Sequence, residues 1–165
     1  MNIHRITKHL ILTHWQVNRA FPHKTLIAIE RAIKASEAAH CGEIRFVVEG
    51  ALDNMPLFKS QSARERAIDL FSQLRIWDTE HNNGVLIYLL LADRSVEIVA
   101  DRGIHARAGS RGWESICRKM ESAFKQANYE AGAVSGIQMV SQHLMQHFPP
   151  AGGGRSELSN RPVMV

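Results

Sequence analysis

The feature that most constrains the fold of this chain is an unbroken apolar run from Val85 to Ala92, which a tight turn joins to the strand-like segment "VEIVAD". A run without polar alternation is typical of a central strand buried on both faces of a helix-covered sheet. The turn, Ala92 to Ser95, is too short for anything but an antiparallel hairpin. The expected register is Leu91 opposite Val96, Leu86 opposite Asp101 and Gly84 opposite Gly103.

The flanking segments predict one more strand and several helices. The segment "EIRFVVEG", which begins at Glu43, is rich in β-branched and aromatic residues and predicts a strand parallel to the apolar run. A capping-box pattern from Ser62 to Glu65 opens one helix. Periodic apolar residues predict further helices over residues 3–18, 22–40, 113–126 and 131–147. We therefore expect an α/β fold, with a small mixed β-sheet sandwiched between α-helices.

The length of the chain, 165 residues, fits one domain with short terminal additions. Residues 1–20 are interpreted as an N-terminal amphipathic helix packed on the domain, and residues 21–148 as the α/β domain itself. Residues 149–165, "PPAGGGRSELSNRPVMV", show no core pattern and are expected to form a disordered tail.

The net charge of +4 comes from the N-terminus, because residues 1–24 contain four basic residues and no acid. The apolar residues of this segment, such as Leu10 and Trp15, recur near helical spacing between His and basic residues. Such a helix either packs Leu10 and Trp15 on the domain or lies on an anionic membrane surface. Lys and Arg are neither spread over a face nor interleaved with aromatics, so we expect no nucleic-acid partner.

Cysteine usage and hydropathy indicate a cellular compartment. Cys41 and Cys117 have no paired spacing that would suggest a zinc site or a disulfide framework, so both are interpreted as reduced thiols. The sequence has no signal-peptide block and no apolar run of the roughly 20 residues that span a bilayer. We expect a cytoplasmic protein, either free or peripheral to a membrane.

Polar residues flank the predicted strands and should meet at one end of the sheet. The residues that we predict there are Glu43, Asp78, Glu80, Asn82, Asn83, Asp101 and Arg102. Oxygen ligands of this kind suit Ca²⁺ or Mg²⁺, and Asp78, Glu80 and Asp101 are the predicted metal ligands. Arg102 could instead neutralise the acids or receive a phosphate. The alternative interpretation is an ordinary solvated rim that contains a structural Asp101–Arg102 pair.

Other motifs give weaker indications of a functional site. His143 and His147 have the i,i+4 spacing of metal-binding histidines, but no HExxH glutamate and no evident third ligand accompany them. The sequence has no GxGxxG, P-loop or GxSxG motif, which argues against dinucleotide binding, ATP binding and serine-hydrolase chemistry.

The segment "NNGVLIYLLLADRSVEIVADRGI", preceded by "RERAIDLFSQLRIWDTE" and followed by a helix and "NYEAG", resembles the TPM domain family. The resemblance spans roughly residues 22–148 and implies a small sheet between helices. The family name joins a thylakoid lumen phosphatase-like protein, a photosystem II repair protein and a receptor modulator; this chain resembles a cytoplasmic, bacterial-type member. Some plant members are described as acid phosphatases, calcium binding is associated with some members, and several bacterial members accompany membrane proteins.

The resemblance places the family's Asp/Asn-Asn-Gly motif at Asn82-Asn83-Gly84, and its second strand end at Asp101-Arg102-Gly103. Here an amide, Asn82, stands where a carboxylate is common, and Asp101 and Arg102 add charges that the family often lacks. The amide at Asn82 removes one anionic ligand from the site that the resemblance implies.

Two functions therefore remain open. In the first, the protein is a non-catalytic binding or accessory module for membrane or envelope protein maintenance, whose partner is a membrane-associated protein or an anionic membrane surface. In the second, it is a metal-assisted acid phosphatase-like hydrolase, in which a cation activates water. The absence of an activated Ser, Cys or His from the sequence pattern favours the first function.

Overall fold

The computed structural model describes residues 3–12, 14–52, 60–150 and 156–165. Its helices are α1 (Ile3–Ile11), α2 (His14–Ala20), α3 (His23–Ser36), α4 (Ala63–Gln73), α5 (Arg102–Ala108), α6 (Ser110–Lys125) and α7 (Tyr129–His147). Its strands are β1 (Glu43–Glu49), β2 (Gly84–Leu90), β3 (Ser95–Ala100) and β4 (Val163–Met164).

The four strands form one mixed sheet in the order β3-β2-β1-β4. β1 and β2 are parallel, and β2 and β3 form the antiparallel hairpin. One face of the sheet packs against α3, α6 and α7, and the other face packs against α4. The predicted α/β fold, with a mixed sheet between helices, is confirmed.

Every residue of β2 is buried, which accounts for the unbroken apolar run in the sequence. Val85, Ile87 and Leu89 belong to the core on the α3, α6 and α7 side. The alternate residues Leu86, Tyr88 and Leu90 belong to the core on the α4 side. Full burial of one such aliphatic side chain contributes about 1.5 to 3 kcal/mol, so β2 alone stabilises both layers.

The predicted hairpin register is wrong by two residues. Leu89 lies opposite Val96 and Val85 lies opposite Ala100, so β2 ends at Leu90 rather than at Leu91. The backbone N–H groups of Leu91 and Ala92 donate to the carbonyls of Glu49, the last residue of β1, and of Gly50, which follows it, at 2.9 Å each. This non-local pairing shortens β2 relative to its apolar run, and a short-range rule based on the turn could not detect it.

Three further predictions required correction. The single helix predicted over residues 3–18 is two helices, α1 and α2. The strand predicted from "VEIVAD" ends at Ala100 rather than at Asp101, and the short helix α5, which the sequence pattern did not indicate, follows at once. Residues 156–165, which were predicted to be part of a disordered tail, lie along β1 and include β4. Two paired residues are too few to leave a strand pattern in the sequence.

A buried charged network joins the carboxyl end of β1 to α4. Arg66 Nε and Nη2 donate to the Glu49 carboxylate at 2.9 Å each, and Tyr88 Oη donates to the same carboxylate at 2.7 Å. Burial raises the pKa of Tyr88, and the adjacent Glu49 charge raises it further. The hydrogen bond to Glu49 raises the pKa of Arg66. The network therefore keeps Glu49 paired inside the α4-side core.

Removing the Arg66 guanidinium should lower the free energy of unfolding much more than removing the Tyr88 hydroxyl. Arg66→Met leaves the Glu49 carboxylate buried without its counter-charge, so we expect a loss of about 3 kcal/mol in the free energy of unfolding. Tyr88→Phe removes one hydrogen bond and should cost about 1 kcal/mol. Urea unfolding followed by circular dichroism measures both values, and equal losses would contradict the assignment.

Candidate functional site

The amino end of β2 is built from an amide and a glycine in close contact with their surroundings. Asn83 is fully buried, its Nδ2 donates to the Cys41 carbonyl at 2.9 Å, and its backbone N–H donates to Thr79 Oγ1 at 3.2 Å. A Cβ at Gly84 would overlap the carbonyl of Ile76. Asn82 adopts a left-handed φ of 50°, which Asn tolerates better than most residues. The Asn-Asn-Gly sequence therefore fits the sharp entry into β2.

The end of β3 lies beside this entry. The Asp101 backbone N–H donates to the Gly84 carbonyl at 2.9 Å, and a Cβ at Gly103 would overlap the carbonyls of His81 and Asn82. Asp101 is the N-cap of α5, where its Oδ1 accepts from the Arg102 N–H at 2.6 Å. Within the described part of the chain, the buried Asp101 Oδ2 has no hydrogen-bond partner. Polar residues of both strand ends thus meet.

Asp101 and Arg102 are in contact, but not through the side-chain ion pair that the sequence suggested. Arg102 is exposed, and its contact with Asp101 is made by the backbone N–H rather than by the guanidinium. No salt bridge between these two side chains occurs within the described ranges. Asp101 consequently acts on α5 through a helix cap, and the Arg102 guanidinium faces solvent.

Glu43 lies at the same end but is covered by the C-terminal segment. Its carboxylate is buried and accepts from the N–H groups of Glu157 at 3.0 Å and Leu158 at 3.2 Å. Burial raises the pKa of Glu43 above its usual range, and the two N–H groups oppose this shift. The carboxyl group therefore takes up a proton more readily in the folded protein than in the unfolded chain.

The remaining predicted residues of this end are on the surface. Asp78 and Glu80 are both exposed, and the Glu80 backbone N–H donates to the Glu157 carboxylate at 3.1 Å. Among the residues that the structure describes, no group of three or more His, Cys, Asp or Glu is arranged to hold a metal ion. The structure does not bring Asp78, Glu80 and Asp101 together as a ligand set, and cation binding stays a prediction.

The histidine and cysteine candidates lie elsewhere in the fold. His143 packs against Trp113 with ring centroids 5.1 Å apart, and burial lowers its pKa. Burial raises the pKa of Cys117 to about 12, so its thiol is a poor nucleophile at neutral pH. Cys41 Sγ donates to the Phe148 carbonyl at 3.7 Å. Each of these side chains has a packing or hydrogen-bonding role.

Three large apolar residues of the N-terminal helices are exposed. Leu10, Ile11 and Trp15 are 63%, 62% and 65% exposed, so Leu10 and Trp15 do not pack on the domain. We call these three residues the apolar patch. The helices are instead held by other residues: Val17 and Ala20 join the core.

α1 is fixed to the hairpin turn by polar contacts. Arg5 Nε donates to Asp93 at 2.9 Å, and His9 Nε2 lies 3.0 Å from the other oxygen of the same carboxylate. The Leu52 backbone N–H donates to His9 Nδ1 at 2.9 Å, and His9 is buried. These contacts use Arg5 and His9 for attachment to the domain and leave Leu10, on the same helix, exposed.

The surroundings of the apolar patch are basic. Lys8 is exposed beside it, and the Arg19 guanidinium lies over the Trp15 ring at 5.3 Å from the centroid. The first acidic residue of the chain is Glu30. A groove of about 470 Å³ between α1 and the hairpin turn adjoins the patch. This combination of exposed apolar and basic groups is typical of membrane-surface helices.

Comparison with known proteins agrees with this architecture. The sequence profile of the TPM domain matches residues 19–143. The chain belongs to the TPM domain family. Its structure is similar to that of BA42 protein from the psychrophilic bacterium Bizionia argentinensis, with a TM-score of 0.75, 30% identity, and coverage of 86% of this chain and 93% of BA42.

A second structure shares the fold. The N-terminal domain of a protein from P. gingivalis has a TM-score of 0.58 and 21% identity, and the match covers 73% of this chain and 75% of that one. Among curated proteins, none matches this chain. In the described part of the TPM domain protein, no helix is long and apolar enough to cross a membrane.

The raised pKa of Glu43 predicts a specific pH dependence. Because the folded state binds this proton more tightly than the unfolded chain, Glu43 should add stability as pH falls from 7 toward its unfolded value of 4.5. Glu43→Gln removes the titration. The free energy of unfolding of the wild type, minus that of Glu43→Gln, should therefore increase on acidification across this window. Urea titrations at several pH values measure the difference, and a decrease would contradict the shift.

Proposed function

We propose that this TPM domain protein is a non-catalytic accessory module that binds an anionic membrane surface through α1 and α2. The observation that carries the proposal is the exposure of Leu10, Ile11 and Trp15 on a helix pair whose inward contacts are already satisfied. Single exposed apolar residues are ordinary, but three large ones close together in sequence on α1 and α2, beside basic groups, are typical of a binding surface.

The charge distribution favours a lipid surface as the partner. Anionic headgroups attract basic side chains by about 1 kcal/mol for each Lys or Arg held near the surface. Lys8 and Arg19 flank the apolar patch, and no acid precedes Glu30. Trp15 has the amphipathic ring that is enriched at the level of lipid headgroups. Charge and apolar contact would therefore act together on the same side of the domain.

The contacts between α1 and the hairpin turn would set the orientation of the domain on the proposed membrane surface. The contacts of Arg5 and His9 with Asp93 connect the membrane-facing helix to the turn between β2 and β3. A domain held in this way would keep a fixed orientation beside membrane proteins, rather than hang from a loose anchor. Such positioning is the role that an accessory module for membrane or envelope protein maintenance requires.

Vesicle co-sedimentation tests this proposal. We expect the wild type to bind phosphatidylcholine vesicles that contain phosphatidylserine, and a variant with Leu10, Ile11 and Trp15 all replaced by Ser to bind at least about tenfold more weakly, since it loses most of the apolar transfer energy. The substituted side chains are exposed, so the fold should persist. Raising the salt concentration should weaken the binding of the wild type.

A matched control uses apolar residues that are exposed elsewhere. Ile68 and Trp77 are 46% and 50% exposed, outside the N-terminal helices. Replacing both by Ser should leave vesicle binding unchanged. Equal loss in the control, unchanged binding of the triple variant, or equal binding of the wild type to vesicles without phosphatidylserine would refute the proposed surface.

The second candidate function is a metal-assisted acid phosphatase-like hydrolase. The observation in its favour is the buried Asp101 Oδ2, which has no partner among the described residues at the polar sheet end. A cation there would use Asp101, with Asp78 and Glu80 as further ligands, and Arg102 would stabilise phosphoryl charge. The exposure of Asp78 and Glu80 weighs against a pre-formed site, so we rank this function below membrane binding.

Calorimetry with Ca²⁺ and with Mg²⁺ decides on the second candidate. If Asp101 is a ligand, the wild type should release or absorb heat on binding, and Asp101→Asn should weaken binding by at least about tenfold because it removes a ligand charge. Asn retains the helix-capping ability of Asp, which preserves α5. Absence of a binding heat in the wild type, together with no hydrolysis of a generic phosphomonoester from acid to neutral pH, would remove this candidate.

A further inference from the structure

The outer edge of β1 contains two charged side chains that hold the main chain of another segment. The Glu43 carboxylate accepts from the N–H groups of Glu157 and Leu158. The Arg45 guanidinium donates to the carbonyls of Ser159 and Arg161. Both side chains are buried beneath this segment, with exposures of 4% and 9%. We call residues 156–165 the C-terminal strap.

Further along β1, the backbone of the strap forms a strand pair with the backbone of β1. Val163 and Met164 pair in parallel with Val47 and Val48, and the Val165 N–H donates to the Val48 carbonyl at 2.9 Å. The surface therefore contacts backbone groups of the strap from residue 157 to residue 165. Backbone groups are the same in every peptide, so this edge recognises an extended chain rather than a particular sequence.

Most hydrogen bonds of the strap use its backbone, although the Glu157 carboxylate accepts one from the Glu80 N–H. Met164 and Val165 are 38% and 51% exposed. Leu158 and Val163 are partly buried and pack against the α4-side core. Main-chain hydrogen bonds at a sheet edge, with shallow positions for two apolar side chains, are the features of strand addition by an extended peptide.

The charges of Glu43 and Arg45 favour an edge of β1 from which the strap can dissociate. A permanently covered edge would be more stable with apolar residues, because burying charged groups carries a large desolvation cost. Charged groups are, however, well solvated when the strap is absent, and charges on an open edge discourage non-specific pairing. Glu43 and Arg45 thus suit both an occupied and an unoccupied state. The sequence that joins Phe148 to the strap, "PPAGGGR", has a linker-like composition.

We propose that the outer edge of β1 is a docking surface for an extended peptide strand of a partner protein, which the C-terminal strap occupies within the same chain until the partner displaces it. The partner segment presents two successive N–H groups to Glu43, carbonyls to Arg45, and an apolar residue at the position of Val163. The strap is the template for this chemistry, since it makes each of these contacts.

The first test measures opening of the strap in the full-length chain by amide hydrogen exchange. The amides of Leu158 and Val165 should exchange through a local opening, far faster than the Leu89 amide of β2. Arg45→Met should raise the exchange rates of the strap amides by about tenfold, which is the effect expected for lost charge-assisted hydrogen bonds. Arg64→Met is the matched control, because Arg64 donates to the Ile98 carbonyl at the opposite edge of the sheet.

Strap amides that exchange only at the rate of the β2 amides would overturn the proposal, because the strap would then be an integral part of the core. The proposal would equally fail if Arg64→Met accelerated exchange of the strap as much as Arg45→Met does. Comparison with Leu89 in each variant separates local release from a general loss of stability.

The second test adds a synthetic peptide with the sequence of residues 156–165, "SELSNRPVMV", to the ¹⁵N-labelled full-length chain. The labelled strap signals should move to positions of an unstructured chain, whereas the Val48 and Gly50 signals should remain in their docked positions. Half-displacement is expected at about millimolar peptide, the effective concentration that a short linker confers on the strap.

The control peptide carries N-methyl groups on the nitrogens that correspond to Glu157 and Leu158. It keeps every side chain but cannot donate to Glu43, so it should not displace the strap. Displacement by neither peptide would show that the edge does not accept a strand from another chain. Equal displacement by both would show that the edge does not recognise the main chain, and either result overturns the proposal.

Discussion

The burial of β2 on both faces is the constraint on which the rest of this structure depends. A strand with apolar side chains on both faces needs a helical layer on each side and a paired strand along each edge. The α3, α6 and α7 layer, the α4 layer, β1 and β3 satisfy these four needs. What this arrangement leaves open is the outer edge of each neighbouring strand, and the two edges are covered by different means.

Side chains of the flanking helices protect the outer edge of β3. Glu121 accepts from the Val96 N–H at 3.0 Å, and Arg64 donates to the Ile98 carbonyl. The outer edge of β1 is covered by main chain, through the strap that Glu43 and Arg45 hold. The first edge is blocked by side chains of the core helices, whereas the cover of the second edge is the segment for which we propose exchange. The two edges are therefore not equivalent for binding.

The sequence correctly predicted the elements that depend on local periodicity. The predictions were wrong where contacts between segments distant in sequence determine the structure. The capping box at Ser62 and the strand character of β1 and β2 were confirmed because neighbouring residues specify them. The hairpin register was wrong because the amides of Leu91 and Ala92 donate to carbonyls of Glu49 and Gly50, at and just after the end of β1, instead of pairing with β3. At the polar end of the sheet, the positions of Asn83 and Asp101 beside strand ends were enough to predict where they lie. The sequence did not predict which side chains at this end are buried. Glu43 was identified there, but the strap that covers it was not foreseen.

Gly50 brings the two proposed binding regions into contact. Its carbonyl accepts from the Ala92 N–H, and its own N–H donates to the Val165 carbonyl at 3.4 Å. A Cβ at this position would lie 2.8 Å from the Val17 side chain and 3.2 Å from that of Leu12, so the N-terminal helices occupy the space beside it. Gly50, which follows β1, therefore lies against both the N-terminal helices and the end of the strap. Gly50 is thus the position where the packing of the N-terminal helices and the hydrogen bonding of the strap meet.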